Sequence, residues 1–129
     1  MTHRFTVRVY YEDTDMAGIV YYANYLKFIE RARSDWVREM GVDQTALRRD
    51  EGMVFAVRRV EADYIAPAHF DETLTVHTSQ RAVTGARLIL NQQVFRGDTL
   101  LFQAEVTVVC LNEAGHAVRL PANIRRMVY

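Results

Sequence analysis

The hydrophobic pattern changes its period once near the start of the chain. Apolar and polar residues alternate from Phe5 to Tyr11, which predicts a half-buried β-strand. From about Asn24 the apolar side chains recur every three or four residues, and charged side chains occupy the positions between them. This spacing predicts an amphipathic helix of about four to five turns, with Asn24 as its N-cap and Gly41 as the residue that ends it.

After this helix the chain is dominated by strand-like patterns. A short helix is expected within residues 42–52, and Pro67 ends the first strand of the series because it cannot donate to a β-ladder. The predicted strands cover residues 53–66, 74–78, 88–94, 102–110 and 118–128, the last with Pro121 near its start or in a bulge. One long helix beside consecutive antiparallel strands predicts an α+β domain whose sheet covers that helix. A single helix leaves much of the sheet uncovered, so a homo-oligomer is expected.

Length and composition narrow the classes of function. The 129 residues are 50% hydrophobic and carry no formal net charge, which predicts one domain over residues 1–129 and argues against nucleic-acid or anionic-membrane partners. The one cysteine, Cys110, lies among apolar residues and is expected to be a buried thiol. The four histidines are scattered, so no metal or cofactor is expected. With no signal peptide or membrane-spanning run visible, we expect a cytoplasmic location and no membrane insertion.

The segment from Tyr11 to Tyr25 carries the densest candidate chemistry. It places three carboxylates, one glycine and four tyrosines between a strand and the start of a helix. A carboxylate beside aromatic groups is a candidate base or nucleophile, and the free N–H groups of a helix start can polarise a carbonyl. Gly18 would allow close approach to the main chain. From residue types alone, a solvated turn and cap formed by Asp13 and Asp15 is favoured over a catalytic role.

The same segment resembles a known family. The string YEDTDMAGIVYYANY at residues 11–25, continued by FIERAR at residues 28–33, is similar to the motif of the 4-hydroxybenzoyl-CoA thioesterase family of hotdog-fold hydrolases. The similarity is strongest to the Tol–Pal-associated acyl-CoA thioesterase branch, and residues 64–68 and 104–110 match as well. The resemblance implies a long helix wrapped by an antiparallel sheet of about five to six strands. It also implies edge-to-edge dimers, often paired into tetramers, with the active site at the dimer interface.

The resemblance further implies an activity and its residues. The substrate would be an acyl-CoA, Asp15 the catalytic carboxylate acting as base or nucleophile, and the backbone N–H of Tyr22 the oxyanion donor. Asp13 is expected to be structural. The branch commonly has histidine where this chain has Tyr22, so acyl preference is left open.

Substrate contacts are expected from the same segment and from arginines on the strands. The predicted substrate-binding residues are Gly18, Val20, Tyr21, Tyr25, Arg58, Arg59 and Arg87, with Arg125 and Arg126 as further candidates for coenzyme A phosphates. The spacing of Phe28 and Trp36 makes core packing the default for these two side chains.

Two other functions stay open from the sequence. One is a non-catalytic acyl-binding or envelope-associated scaffold protein, which would keep the fold without the chemistry. The other is a hotdog hydratase or dehydratase, a chemistry that uses a histidine with an acid. No histidine lies within the Asp15 segment.

Overall fold

A computed structural model describes residues 2–127 and contains one long helix, two shorter helices and six strands. The helices are α1 (Asn24–Glu39), α2 (Gln44–Glu51) and α3 (Ala122–Met127). The strands are β1 (His3–Arg8), β2 (Val54–Tyr64), β3 (Thr73–Val83), β4 (Arg87–Arg96), β5 (Thr99–Leu111) and β6 (Ala117–Val118). None of the helices in this part of the chain is long and apolar enough to cross a membrane.

The strands form one six-stranded antiparallel sheet that wraps around α1. Its order is β1-β3-β4-β5-β2, and β6 pairs with the end of β5. Helix α1 buries Phe28, Ile29 and Ala32 against inward-facing residues of the sheet such as Leu90 and Phe102. The α+β prediction and the hotdog arrangement are therefore confirmed.

One fully buried polar side chain joins α1 to the sheet. Gln92 of β4 donates from Nε2 to the carbonyl of Ile29 and to Oγ1 of Thr78, both at 2.9 Å. Its Oε1 accepts a hydrogen bond of 2.9 Å from Nη1 of Arg33, and desolvation lowers the pKa of this guanidinium. Because every polar group here has a partner, the network fixes the position of the helix on the sheet.

The start of α1 differs by one residue from the prediction. Asn24 is the first helical residue and Ala23 occupies the N-cap position. The side chain of Asn24 is buried, and its Nδ2 donates to the carbonyl of Asp13 at 2.9 Å instead of capping the helix. The predicted end is confirmed, since Gly41 follows the last turn with φ +84°, a conformation that favours glycine.

Two predicted strands end earlier than expected by three residues or more. The first strand ends at Arg8, and Tyr11–Asp13 form a 3₁₀ turn because the carboxylate of Asp13 accepts the N–H of Tyr10 at 2.8 Å. The strand expected over residues 118–128 ends at Val118 and is followed by α3, while residue 128 lies outside the described residues. Pro121 immediately precedes this helix, where the N–H that proline lacks is not needed.

Candidate functional site

The loop at residues 14–20, here called the Asp15 loop, is shaped by main-chain hydrogen bonds. Thr14 and Val20 form an antiparallel bridge, and the N–H of Asp15 donates to the carbonyl of Ile19 at 2.9 Å. The N–H of Gly18 closes a tighter turn onto the carbonyl of Asp15 at 3.0 Å. Gly18 has φ +77°, so the turn requires a residue without a Cβ.

The Asp15 loop is also anchored to the segment that follows β2. The N–H of Val20 donates to the carbonyl of Ala68 at 2.9 Å, and Ile19 forms a β-bridge with His69. This pairing was not visible in the sequence because almost fifty residues separate the two segments. It brings His69 beside the Asp15 loop.

The Asp15 side chain is exposed on the isolated protomer. Its Oδ1 accepts the N–H of Ala17 at 2.9 Å, which orients the carboxylate. Within residues 2–127, Oδ2 makes no hydrogen bond, so one carboxylate oxygen is available to a substrate or a water molecule. The arrangement fits a base or a nucleophile.

The turn leading into α1 presents a free N–H group. The N–H of Asn24 donates to the carbonyl of Tyr21 at 2.8 Å, which places Tyr22 at the second position of this turn. No acceptor for the backbone N–H of Tyr22 occurs among the described residues, and the residue is 61% exposed. A free N–H at the positive end of a helix is suited to polarising a carbonyl.

Asp13 supports the site from its buried side. Its buried carboxylate accepts the N–H of Tyr10, and its carbonyl accepts the N–H of Tyr21 at 2.8 Å as well as the side chain of Asn24. These bonds join the 3₁₀ turn to the start of α1. Its geometry matches the structural role expected for Asp13.

Aromatic side chains cover the region next to the free N–H. Tyr22 contacts Tyr21 and Tyr64 edge to face, with ring centroids 5.0 and 5.9 Å apart, and all three rings are exposed. Desolvation is the main reason that the pKa of Tyr64 is raised, so its hydroxyl is neutral at physiological pH. Tyr64 was not predicted as a site residue, although it begins the stretch 64–68 that resembles the family.

Two predicted substrate contacts are buried in this protomer. Val20 and Tyr25 are each 3% exposed. The ring of Tyr25 stacks on Phe102 at 4.9 Å, and its hydroxyl accepts the N–H of Ala68 at 3.1 Å. Desolvation raises the pKa of Tyr25 despite that hydrogen bond. These two side chains therefore support the loop from the core and do not form its outer surface.

Glu72 holds the segment that carries His69. Its Oε1 accepts the N–H of His69 at 2.7 Å and Nη1 of Arg96 at 3.1 Å, and Arg96 also donates to the carbonyl of Pro67 at 3.2 Å. Desolvation alone would raise the pKa of Glu72, but the His69 N–H and the Arg96 guanidinium together lower it. Residues 67–72 are thus fixed to β4, and with them the partner of the Asp15 loop.

The predicted phosphate-binding arginines do not lie beside Asp15 in one protomer. Arg58 occupies a β-bulge in β2, Arg59 pairs with Glu61, and Arg87 begins β4; all three arginines are exposed. They adjoin residues 107–109 of β5, whereas Tyr64 pairs with Phe102 of the same strand. About six residues of β5 separate these two positions, which corresponds to about 20 Å along the strand. The arginines are therefore far from the Tyr64 end of the sheet.

Of the two C-terminal arginines proposed to bind coenzyme A phosphates, only Arg125 has a described side chain. Nε of Arg125 donates to the carbonyl of Leu120 at 3.0 Å. The side chain of Arg126 lies outside the described part of the structure.

A cleft of about 270 Å³ opens between the second half of α1 and the sheet. Its apolar lining includes Trp36, Met40, Phe55 and Leu90, and Arg33 also borders it. Helix α1 rises about 1.5 Å per residue, so Trp36 lies about 18 Å along the axis from the helix start. The cleft is therefore remote from Asp15 within one protomer.

Comparison with known proteins gives consistent results. Residues 9–128 match the model of the thioesterase-like superfamily. The chain is 43% identical over 110 residues to the acyl-CoA thioester hydrolase YbgC of Escherichia coli O6:H1. The matched region covers 84% of this chain and 81% of that protein. It is 40% identical over 108 residues to the acyl-CoA thioesterase YbgC of Haemophilus influenzae, covering 84% and 79%. A crystal structure described as a probable thioesterase from Bartonella henselae superposes with a TM-score of 0.90 at 40% identity, covering 94% of this chain and all of the other.

Proposed function

The chain belongs to the thioesterase-like superfamily, and from this we propose that it hydrolyses the thioester bond of an acyl-CoA. The observation that carries the proposal is the 40–43% identity to acyl-CoA thioester hydrolases over 84% of the chain. The exposed carboxylate of Asp15 and the free N–H of Tyr22, on one continuous segment, support the same chemistry.

The proposed mechanism gives each of these groups one role. The thioester carbonyl accepts a hydrogen bond from the backbone N–H of Tyr22, which stabilises negative charge as it develops on the oxygen. Asp15 either removes a proton from the water that attacks the carbonyl carbon or attacks that carbon itself. In the first route the C–S bond breaks and the coenzyme A thiolate takes the proton from Asp15. In the second, attack by Asp15 breaks the C–S bond and releases the coenzyme A thiolate. Water then hydrolyses the acyl–aspartate intermediate to the acyl carboxylate and ionised Asp15, and of the two protons released one goes to the thiolate and the other to solvent.

Strand β2 supports the proposal that the active species is a homo-oligomer. It is an edge strand of 11 residues, and Val57, Val60 and Tyr64 on it are 45%, 39% and 48% exposed. A long apolar edge is a surface for pairing with another strand. Antiparallel pairing with β2 of a second copy would bring the Arg58 end of that copy toward the Tyr64 end of this one. The arginines and the apolar cleft of one protomer would then serve the Asp15 loop of the other.

The finer expectations remain predictions. These are a tetramer of two such dimers, association with the Tol–Pal system and a cytoplasmic location. The oligomer prediction is tested by the mass of the purified protein in solution.

The activity is tested by release of free coenzyme A from short, long and aromatic acyl-CoA substrates. We expect Asp15→Asn to lower turnover by at least about 10²-fold, as loss of a general base does. The amide keeps the Oδ1 acceptor for the Ala17 N–H, so folding should be preserved. Glu113→Gln, the same charge change in an exposed turn at the far end of β5, is the matched control. Near-normal turnover in Asp15→Asn would remove Asp15 from the mechanism.

The two alternatives are separated in the same experiment. His69, which bridges to Ile19, is the one observation that favours a hydratase, although its Nδ1 lies 3.4 Å from Glu72. Loss of the enoyl-CoA chromophore without thiol release would support that function. Binding of acyl-CoA with no turnover would support a non-catalytic acyl-binding protein.

A further inference from the structure

A histidine and two carboxylates converge on the side of the protomer where β1 crosses α1. Nε2 of His3 lies 3.0 Å from Oδ2 of Asp35 and 2.9 Å from Oε2 of Glu39. The side chain of His3 is only 6% exposed, whereas those of Asp35 and Glu39 are 34% and 66% exposed. Asp35 and Glu39 are four residues apart, so they share one face of the helix.

Hydrogen bonds from the His3 ring alone satisfy the two carboxylates poorly. A neutral ring protonated at Nε2 has a single hydrogen to share between two carboxylates. In the described part of the chain, the other ring nitrogen, Nδ1, is buried and has no hydrogen-bond partner. The two carboxylates therefore converge on one ring nitrogen that can offer at most one hydrogen to them.

The spacing of the three atoms fits a metal ion. Zinc binds histidine nitrogen at about 2.0–2.1 Å and carboxylate oxygen at about 2.0–2.2 Å. Ligand–metal–ligand angles between a right angle and the tetrahedral value then separate two ligand atoms by about 3.0–3.5 Å. The observed separations are 2.9 and 3.0 Å, and all three ligand atoms lie within 4.8 Å of one another. For the two nitrogen–oxygen pairs, shifts of a few tenths of an ångström would admit the ion.

We propose that His3, Asp35 and Glu39 form a zinc-binding site. Three protein ligands leave a fourth position for water, and the imidazole favours zinc over magnesium. Nη1 of Arg38 lies 3.8 Å from the other oxygen of Asp35, so it can orient this carboxylate without occupying the ligand atom. The site departs from the expectation that scattered histidines exclude a metal. His3 and Asp35 are 32 residues apart and meet only in the fold.

The position of the site indicates a structural role. Asp35 lies 11 residues beyond the start of α1, which is about 16 Å along the helix axis. The metal would join the edge strand β1 to the second half of α1 and would not contact the Asp15 loop. It is independent of the proposed thioesterase chemistry.

The test is zinc titration of the full-length protein after dialysis against a chelator, measured by calorimetry. We expect one zinc ion per chain, at least tenfold weaker binding in Asp35→Asn and in Glu39→Gln, and unchanged binding in His116→Gln, which removes an exposed histidine elsewhere. Cobalt added as a spectroscopic probe should give visible absorption bands in the wild type that Glu39→Gln weakens. The helix variants change exposed residues, so the test holds even if His3→Gln does not fold.

Thermal unfolding gives a second measurement of the same site. Zinc should raise the Tm of the wild type and leave that of the Asp35→Asn, Glu39→Gln double variant unchanged. Absence of stoichiometric zinc binding, or equal affinity in the wild type and both helix variants, would overturn the proposal.

Discussion

Replacing Tyr22 with proline removes the backbone N–H group that the proposed mechanism needs. The backbone N–H of Tyr22 has no acceptor among the described residues, so proline deletes no hydrogen bond of the fold. Tyr22 follows Tyr21 at the second position of a turn, where proline is favoured. The matched control is Tyr22→Ala, which keeps the N–H. Both variants lose the ring contacts with Tyr21 and Tyr64, so their difference isolates the N–H.

The expected difference follows from the strength of one oxyanion donor. Removing such a donor costs about 10²–10³-fold in kcat, or about 2.7–4 kcal/mol of transition-state stabilisation. We therefore expect kcat of Tyr22→Pro to lie about 10²-fold or more below that of Tyr22→Ala. The Tm values of the two variants should agree within a few degrees, because neither loses a hydrogen bond of the fold.

The assay is coenzyme A release at saturating acyl-CoA, with circular dichroism as the control for folding. Equal kcat values in two folded variants would show that this N–H is not the donor. A low kcat in Tyr22→Ala itself would instead assign a role to the phenol ring.

Three further predictions concern stability and reactivity. Gln92→Leu should lower the free energy of unfolding by about 2–3 kcal/mol in urea titrations, because it removes the acceptor of the partly buried Arg33 guanidinium and the donor to the buried hydroxyl of Thr78; a loss below about 1 kcal/mol would contradict this. The lowered pKa of Glu72 means that its contribution to stability is present at neutral pH and is lost as pH falls below about 4.3. Glu72→Gln should therefore show a smaller acid-induced fall in Tm than the wild type, and parallel curves would refute the assignment. Desolvation, with a smaller effect of Glu51, raises the pKa of the fully buried Cys110 thiol, so it should react with thiol reagents only after unfolding.

Periodicity predicted the elements whose burial is regular. The three-to-four spacing located α1, and alternation located the strands of the sheet, because each of these elements has one buried and one exposed face. Prediction failed where a local group overrode the alternation. The carboxylate of Asp13 turns the chain away from the first strand, and Pro121 precedes a helix where a strand was expected.

The candidate site likewise contains residues that a local pattern predicts and residues that only the fold brings together. Asp15 and Tyr22 lie on one short segment, so a local motif was enough to propose them as site residues. Tyr64 and His69 join them through the sheet and through a bridge to Ile19, which no local pattern encodes. Arg58 was named for its charge and its place on a predicted strand, and the distance along β5 shows that these two features do not determine proximity.

The Asp15 loop takes its shape from peptide groups, which every amino acid except proline supplies in full. Apart from Gly18, whose backbone angle is restrictive, the identities of Met16 and Ala17 are unconstrained by the scaffold, and both side chains face outward. Substitutions at these two positions therefore change the surface beside the carboxylate while the hydrogen bonds that shape the loop stay in place, so the loop can vary at little cost to folding.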